Sequence, residues 1–210
     1  MKDFAFSENM VGENFNNHVK EQLPFYEMVT DAVTMIVRNY LPENGLIYDI
    51  GASTGNITSN IASFAISRNA KVESIERSED MAKTWRGHGM IHVVNATKFE
   101  YKNFDVCVCF LVLMFMSIEE RENLLLNLTN KLKKGGVIIV VDKLLVEGGY
   151  FGTVLRRLTL DWKLKNGATA KEIINKELSL SGVQRPMTKE EVNGKEFFRF
   201  GEFVGWVIEK

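Results

Sequence analysis

The apolar positions of this chain follow two periods in turn, and that alternation predicts the fold. From Pro24 to Leu41 the residues Phe25, Met28, Val29, Ala32, Ile36, Val37 and Tyr40 recur at steps of three and four, marking one face of a helix. Pro24 suits its first turn, and Pro42 follows its end. Short apolar runs bounded by turn residues predict strands at Leu46 to Ile50, Lys71 to Glu76, Ile91 to Val94, Phe104 to Leu113 and Val137 to Val141. The last is a run of β-branched residues throughout. Helices are predicted between them: about Asn56 to Ser67, a short one capped by Ser78 and running to about Arg86, and one opened by the capping box of Ser117 with Glu120. This last helix is expected to end near the turn Lys133 to Gly136. Each parallel strand pair needs a crossover, so strands alternating with helices predict an α/β fold, a mostly parallel sheet covered on both faces.

After Asp142 the pattern turns helical. A helix is expected from Tyr150 to Lys165, then the turn Asn166-Gly167, a second helix through about Leu180, and a brief capped turn from Thr188 to Val192. Phe197 to Phe200 and Phe203 to Ile208 flank Gly201-Glu202, and two adjacent short strands pair only antiparallel, so the chain ends in a hairpin. No repeat or linker divides it. The expectation is one domain over residues 1–210, with a helical cap at 1–45 and a helical substrate or dimer segment at 143–195.

Composition narrows the function classes. With 210 residues, 45% of them apolar, the chain can bury one sizeable core. Lysine and arginine number 26 against 27 aspartates and glutamates, so no summed field favours nucleic acid or an anionic membrane. The opening MKDFAFSENM has no secretion-signal pattern and no later run is long enough to span a membrane, which predicts a cytoplasmic protein. Cys107 and Cys109, two apart in an apolar run, point to one face of a strand and read as packing rather than as a metal or redox pair. No metal site is predicted. His18, His88 and His92 have no partner at useful spacing and read as structural or exposed rather than as general bases. Lys131, Lys133 and Lys134 read as a solvated cap on a helix end.

The chemistry concentrates at Asp49-Ile50-Gly51-Ala52-Ser53-Thr54-Gly55, between the first strand and its helix. Open α/β sheets collect ligands beyond the carboxyl ends of their strands, and this turn lies there. Gly51 and Gly55 are expected to clear side chains where the backbone passes close to a ligand, with Ala52 and Ser53 keeping the rest small. The other reading is a plain structural turn. Glu76 closes the second strand, where a carboxylate can accept both hydroxyls of a ribose. The glycine spacing does not suit a pyrophosphate, so a single nucleoside fits better than a dinucleotide.

The DIGASTG loop, the acidic end of strand two and the terminal hairpin resemble the class I S-adenosylmethionine-dependent methyltransferases, whose Rossmann-like sheet has seven strands. More closely, the chain resembles the carboxy-S-adenosylmethionine synthases, which use prephenate as a carboxyl source to convert S-adenosylmethionine into its carboxylated form, in a route linked to modification of the tRNA wobble uridine. The likeness covers FAFSENMVGENFNNHVKEQLPFYEMV, YDIGASTGNIT, SIERSEDM, LDWKLKNGATAKEI and FFRFGEFVGWVIEK, most of the chain. It implies a cofactor held against Tyr26, Asp49, Gly51, Ala52, Ser53, Gly55, Glu76 and Arg77, with Asn95, Ala96, Thr97 and Phe110 at the adenine end.

Three positions depart from that pattern. The family's aspartate after strand three is replaced within Val94-Asn95-Ala96-Thr97, and its asparagine near the end of strand four by Phe110. The arginine that holds the extra carboxyl group aligns with Glu177, and Arg185 is the nearby residue that could compensate. Losing a bidentate guanidinium forfeits a charge-assisted contact of roughly 1.5–3 kcal/mol, which favours ordinary S-adenosylmethionine as cofactor over carboxy-S-adenosylmethionine. Prolines occur only at Pro24, Pro42 and Pro186, so the chain lacks both the double-proline motif of DNA amino-methylating enzymes and the proline-cysteine nucleophile of cytosine-carbon methylation. Three functions follow in order: a methyltransferase acting on a small molecule or unidentified acceptor, a divergent carboxy-S-adenosylmethionine synthase, or a non-catalytic S-adenosylmethionine-binding protein. A homodimer through the late helical segment goes with each.

Overall fold

Side chains alternate across the strands so regularly that the sheet has two separate cores. Ile47, Val106, Val108, Val137, Ile139 and Val141 face one side, while Tyr48, Ile50, Cys107, Cys109, Ile138 and Val140 face the other. The computed structural model describes residues 19–146 and 148–210. Its strands are β1 Leu46–Ile50, β2 Lys71–Glu76, β3 Met90–Val93, β4 Phe104–Phe110, β5 Leu132–Lys143, β6 Lys195–Phe200 and β7 Phe203–Glu209. They lie in the order β3-β2-β1-β4-β5-β7-β6, with β7 antiparallel to β5 and to β6 and the other pairs parallel. The helices are α1 Tyr26–Tyr40, α2 Asn56–Ser67, α3 Glu79–Thr84, α4 Ile118–Lys131, α5 Tyr150–Lys165 and α6 Ala170–Ser179. Val29, Val33 and Val37 of α1 with Ile57, Ile61 and Ala65 of α2 cover the first face, and Leu124, Leu125 and Leu128 of α4 cover the second. Each such fully buried side chain contributes roughly 1.5–3 kcal/mol.

Three sequence expectations shift. The buried stripe of α1 runs through Tyr26, Val29, Val33 and Val37, whereas Met28 is 68% exposed, so the helix is turned from the face first read. Strand β4 stops at Phe110 instead of Leu113, because Leu111 takes a left-handed φ of 55° and the chain leaves the sheet into a 3-10 turn, Leu113–Phe115. Strand β5 begins at Leu132, five residues before Val137: α4 ends at Lys131, and the Lys133 to Gly136 turn is taken up inside the strand as an irregularity, Leu132 pairing with Phe104 and Val137 with Val106, with Gly135 at φ 81°. There Lys133 Nζ lies 2.8 Å from Asp105 Oδ2, so the basic group is not merely a solvated cap. The carboxylate of Asp105 also accepts from Leu46 N, which ties the edge of β1 to the lysine.

Between β5 and β6 the chain makes a helical excursion. It departs at Leu144 and returns at Met187, which form a bridge, with Met187 N donating to Lys143 O at 2.7 Å and Leu145 N to Met187 O at 2.7 Å. Its root is tied by Arg121, fully buried in α4. This guanidinium donates to both oxygens of Glu191, at 2.5 and 2.8 Å, and to the carbonyls of Arg185 and Pro186. Glu191 also closes the predicted capping box with Thr188. The opening stretch of the resemblance, with His18, lies mostly outside the described residues. His92 sits 3.2 Å from Glu73.

Candidate active site

A cavity of about 270 Å³ opens where β1, β2 and β4 end, beside the point at which the strand order reverses. The glycine loop forms one wall. Gly51 N and Ala52 N both donate to Ile75 O, which holds the loop against β2. Gly51 has φ +70° and a Cβ added there would lie 2.4 Å from Val112 Cγ2; Gly55 has φ +89° and its Cβ would lie 2.4 Å from the backbone nitrogen of Gly87. The spaces these glycines leave are therefore filled by the protein itself, which corrects the expectation that they make room for a ligand. Gly55 does not line the cavity, whereas Gly51, Ala52 and Ser53 do.

Two carboxylates meet behind the loop. Glu76 is buried rather than a solvated strand end. Its Oε2 accepts from Ser53 N at 2.9 Å and its Oε1 from Ser78 N at 2.8 Å, so it pins the loops after β1 and β2 together. Asp49 is also buried, and its Oδ2 has no hydrogen-bond partner. Burial, and then the charge of Glu76, push its carboxyl up to about 7. Burial and the charge of Asp49 likewise raise the phenol of Tyr26 above its ordinary range. Tyr26 is not a half-exposed helix residue: it is buried, and its ring meets that of Phe110 edge-on at 5.6 Å.

The remaining predicted positions divide. Arg77, Asn95, Ala96, Thr97 and Phe110 line the cavity. Asn95 Oδ1 is already engaged by the N–H and the hydroxyl of Thr97, at 3.0 and 2.9 Å, and so serves as the cap of the short turn Ala96–Lys98. The carbonyl of Ala96 accepts from Tyr101. Glu177 of α6 lines the cavity too, but Arg185 is exposed and off it, contributing only its backbone N–H, which donates to Met114 O, and its carbonyl. It therefore does not replace the family's arginine.

Sequence reasoning missed the residues that face Glu177. Lys163, 9% exposed near the end of α5, lies 3.3 Å from the Glu177 carboxylate, and Lys176 of α6 lines the same wall. Burial, then the charge of Lys163, lower the Lys176 ammonium from its usual range. Lys143 reaches the cavity from the end of β5 and is paired with Glu202 at 3.3 Å. The signal lay in DWKLKNG, where a lysine takes a buried place between exposed apolar neighbours. Also missed were Val112, Met114, Phe115 and Met116, which follow β4 and line the cavity where a longer strand was expected. A nucleoside carrying cationic groups fits this set: Asp49 presents a buried carboxylate oxygen that lacks a partner, Glu76 stands at the strand end, and the loop carries no long side chain.

The sequence profile of a methyltransferase domain matches residues 48–140. The carboxy-S-adenosyl-L-methionine synthase of Staphylococcus epidermidis is 30% identical over 222 aligned residues, covering 99% of this chain and 97% of that protein. The enzyme of the same name from Shewanella halifaxensis is 29% identical, covering 98% and 88%. Among solved structures, the magnesium protoporphyrin IX methyltransferase of Synechocystis, determined with bound SAH, is similar in fold at a TM-score of 0.58 and 14% identity, covering 90% of this chain and 84% of that one. Sheet order, glycine loop and full-length similarity agree: the chain is an S-adenosylmethionine-dependent transferase and belongs to the carboxy-S-adenosyl-L-methionine synthase family within the class I methyltransferase fold.

Proposed function

We propose that this protein carboxylates S-adenosylmethionine, with prephenate as the carboxyl source expected from the family resemblance. The observation that carries this reading is the pair of ammonium groups, Lys163 and Lys176, lining the cavity beside Glu177. Glu177 alone would repel a carboxylate; Lys163, 3.3 Å from it, offsets that charge, and Lys143 and Lys176 line the same cavity. Lysine replaces arginine here as a point charge, without the bidentate geometry.

When bound, S-adenosylmethionine would supply a methyl group acidified by its sulfonium, whose carbon loses a proton and bonds to the carboxyl carbon as a nucleophile in carboxylation, and is the electrophile only in methyl transfer. In this reading Asp49 faces its cationic part, Glu76 and the loop 51–53 hold the ribose and backbone, Tyr26 and Phe110 close one side, and Arg77 with residues 95–97 bounds the adenine. Holding both reactants in one cavity supplies orientation, one of the contributions such a transfer needs. Methyl transfer from ordinary S-adenosylmethionine to a small-molecule acceptor is the second reading, favoured by Phe110, which offers no polar contact where the family has asparagine.

Mass spectrometry of the nucleoside that copurifies, followed by incubation with S-adenosylmethionine and prephenate, separates the two. Carboxylated nucleoside that falls at least tenfold in Lys163→Met and Lys176→Met is the expected result. Ordinary S-adenosylmethionine as the bound species, with no prephenate-dependent product, overturns carboxylation in favour of methyl transfer. Absence of either nucleoside in a direct titration, with Gly51→Asp changing nothing, removes the cofactor assignment.

The same reading takes residues 1–210 as one unit with a small-molecule substrate in the cytoplasm. No described helix is long and apolar enough to cross a membrane. Val19, Gln22 and Leu23 line the cavity, which supports residues 1–45 as its cap. A homodimer through α5 is supported by its outward apolar face, where Tyr150 is 77% and Phe151 71% exposed.

A further inference from the structure

Asp142 lies fully buried at the end of β5 and does not line the cavity. Its carboxylate is met by three backbone N–H groups: Leu113 N at 2.8 Å and Met114 N at 3.3 Å on Oδ2, and Lys143 N at 2.8 Å on Oδ1. Burial pushes its carboxyl up to about 7 against the lowering effect of these N–H groups and of Arg121. A buried carboxylate is expensive, and asparagine would be the cheaper isostere. Asparagine, however, offers an acceptor on one side only and would turn its N–H₂ toward one of these donors. The site requires an acceptor on both sides.

Two of the three donors that converge on Asp142, Leu113 N and Met114 N, belong to the segment that joins the two walls of the cavity. Leu111, at φ 55°, turns the chain off β4. Val112 then occupies the space above Gly51, while Met114, Phe115 and Met116 line the cavity. The carbonyl of Met114 accepts from Arg185 N at 2.7 Å, at the returning end of the helical excursion. One carboxylate thus fixes the middle of a segment whose start supports the glycine loop and whose end fastens the lysine-bearing helices.

We propose that Asp142 is a positioning residue for the transfer reaction: by holding residues 111–116 it keeps the second-substrate wall in register with the glycine loop, without touching either ligand. The proposal rests on the reading of the cavity as a nucleoside-dependent transfer site. It is tested by Asp142→Asn, with S-adenosylhomocysteine as the binding probe and hydrogen exchange as the structural readout. The Gly51 loop touches the held segment only through Val112 and is itself hydrogen-bonded to Ile75 and Glu76 of β2, so affinity for S-adenosylhomocysteine is expected to stay within about threefold of wild type. Wild type should gain protection in residues 111–116 and 180–187 on binding, and the variant should not. In turnover with S-adenosylmethionine and prephenate, kcat should fall at least tenfold with KM for S-adenosylmethionine nearly unchanged.

Equal ligand-induced protection in variant and wild type overturns the proposal, as does loss of affinity by the same factor as kcat, which marks general damage. If wild type binds the probe but makes no product, carboxylation fails while the protection comparison still decides the role of Asp142. If wild type does not bind the probe, the cavity reading and the proposal fall together, whereas loss of binding confined to the variant overturns the proposal alone. Should Asp142→Asn not fold, Asp142→Glu, which keeps both acceptor oxygens but displaces them from the three N–H groups, carries the same expectations and the same refutation.

Discussion

The glycine-loop wall and the helical excursion face one cavity but are held by different means. Residues 49–55 rest on a sheet whose alternating side chains fill two cores, and their backbone is fastened to β2 through Ile75 and Glu76. Residues 145–186 invert the usual arrangement: α5 exposes Tyr150, Phe151, Val154 and Leu158 and buries Lys163. They are tied at the root, by Arg121 and the Leu144–Met187 bridge. In the proposed reading, nucleoside recognition therefore depends on the most cooperative part of the fold, and second-substrate recognition on an appendage with its own fastening.

The largest expected effect strikes that fastening. Arg121→Met leaves the Glu191 carboxylate buried without its partner and two carbonyls without donors, and should lower stability in urea unfolding by about 3–5 kcal/mol. Arg121→Met combined with Glu191→Met should recover most of the loss; if it does not, packing rather than charge holds the root. On the other wall, Gly51→Ala meets Val112 and an unfavourable φ together and should cost about 1–3 kcal/mol. Adding Val112→Ala should return only the steric part, read from the same unfolding curves. Full recovery would mean that the φ is not strained.

Asp49 gives an effect of similar size with a definite sign. Its carboxyl titrates near 7 when folded and near its ordinary value of 3.8 when unfolded, so between those values the unfolded chain holds fewer protons and stability falls as pH rises. Asp49→Asn removes that contribution. The variant should gain on wild type by about 2–3 kcal/mol from about pH 5 to about pH 8 in thermal unfolding. An identical pH profile would place the Asp49 carboxyl in the ordinary range. Ligand binding should run the other way: ionised Asp49 suits a cation, so wild-type affinity for S-adenosylhomocysteine should rise with pH through 7 and that of the variant should not. The smallest change in stability, within about 0.5 kcal/mol, is expected for Phe151→Ser on α5, whose effect should instead appear in sedimentation as dissociation of a dimer.

The same contrast governs what was legible in the sequence. The limits of β1, α2 and β2 follow directly from apolar runs and their periods, because each buries its apolar face, and those of α5 follow from its period although its apolar face is exposed. Strand β4 was read too long because Leu111, Val112 and Leu113 are as apolar as a strand, and only a left-handed residue and a buried aspartate from β5 turn them away. Glu76 could be picked out by its place after β2. Lys163 and Lys176 are harder to pick out, since a lysine in a polar helix normally reads as solvated, and its burial here is fixed by the pairing of α5 with α6.

The packing of Gly51 and Gly55 bears on how such loops are interpreted. Each is demanded by its own backbone angle and by another part of the chain, Val112 in one case and Gly87 in the other. A descendant that lost its nucleoside would still be obliged to keep both glycines until those neighbours changed. The loop therefore records the ancestry of the fold, whereas Asp49, whose carboxylate oxygen lacks a partner within the protein, is the residue whose loss would signal that the ligand has gone.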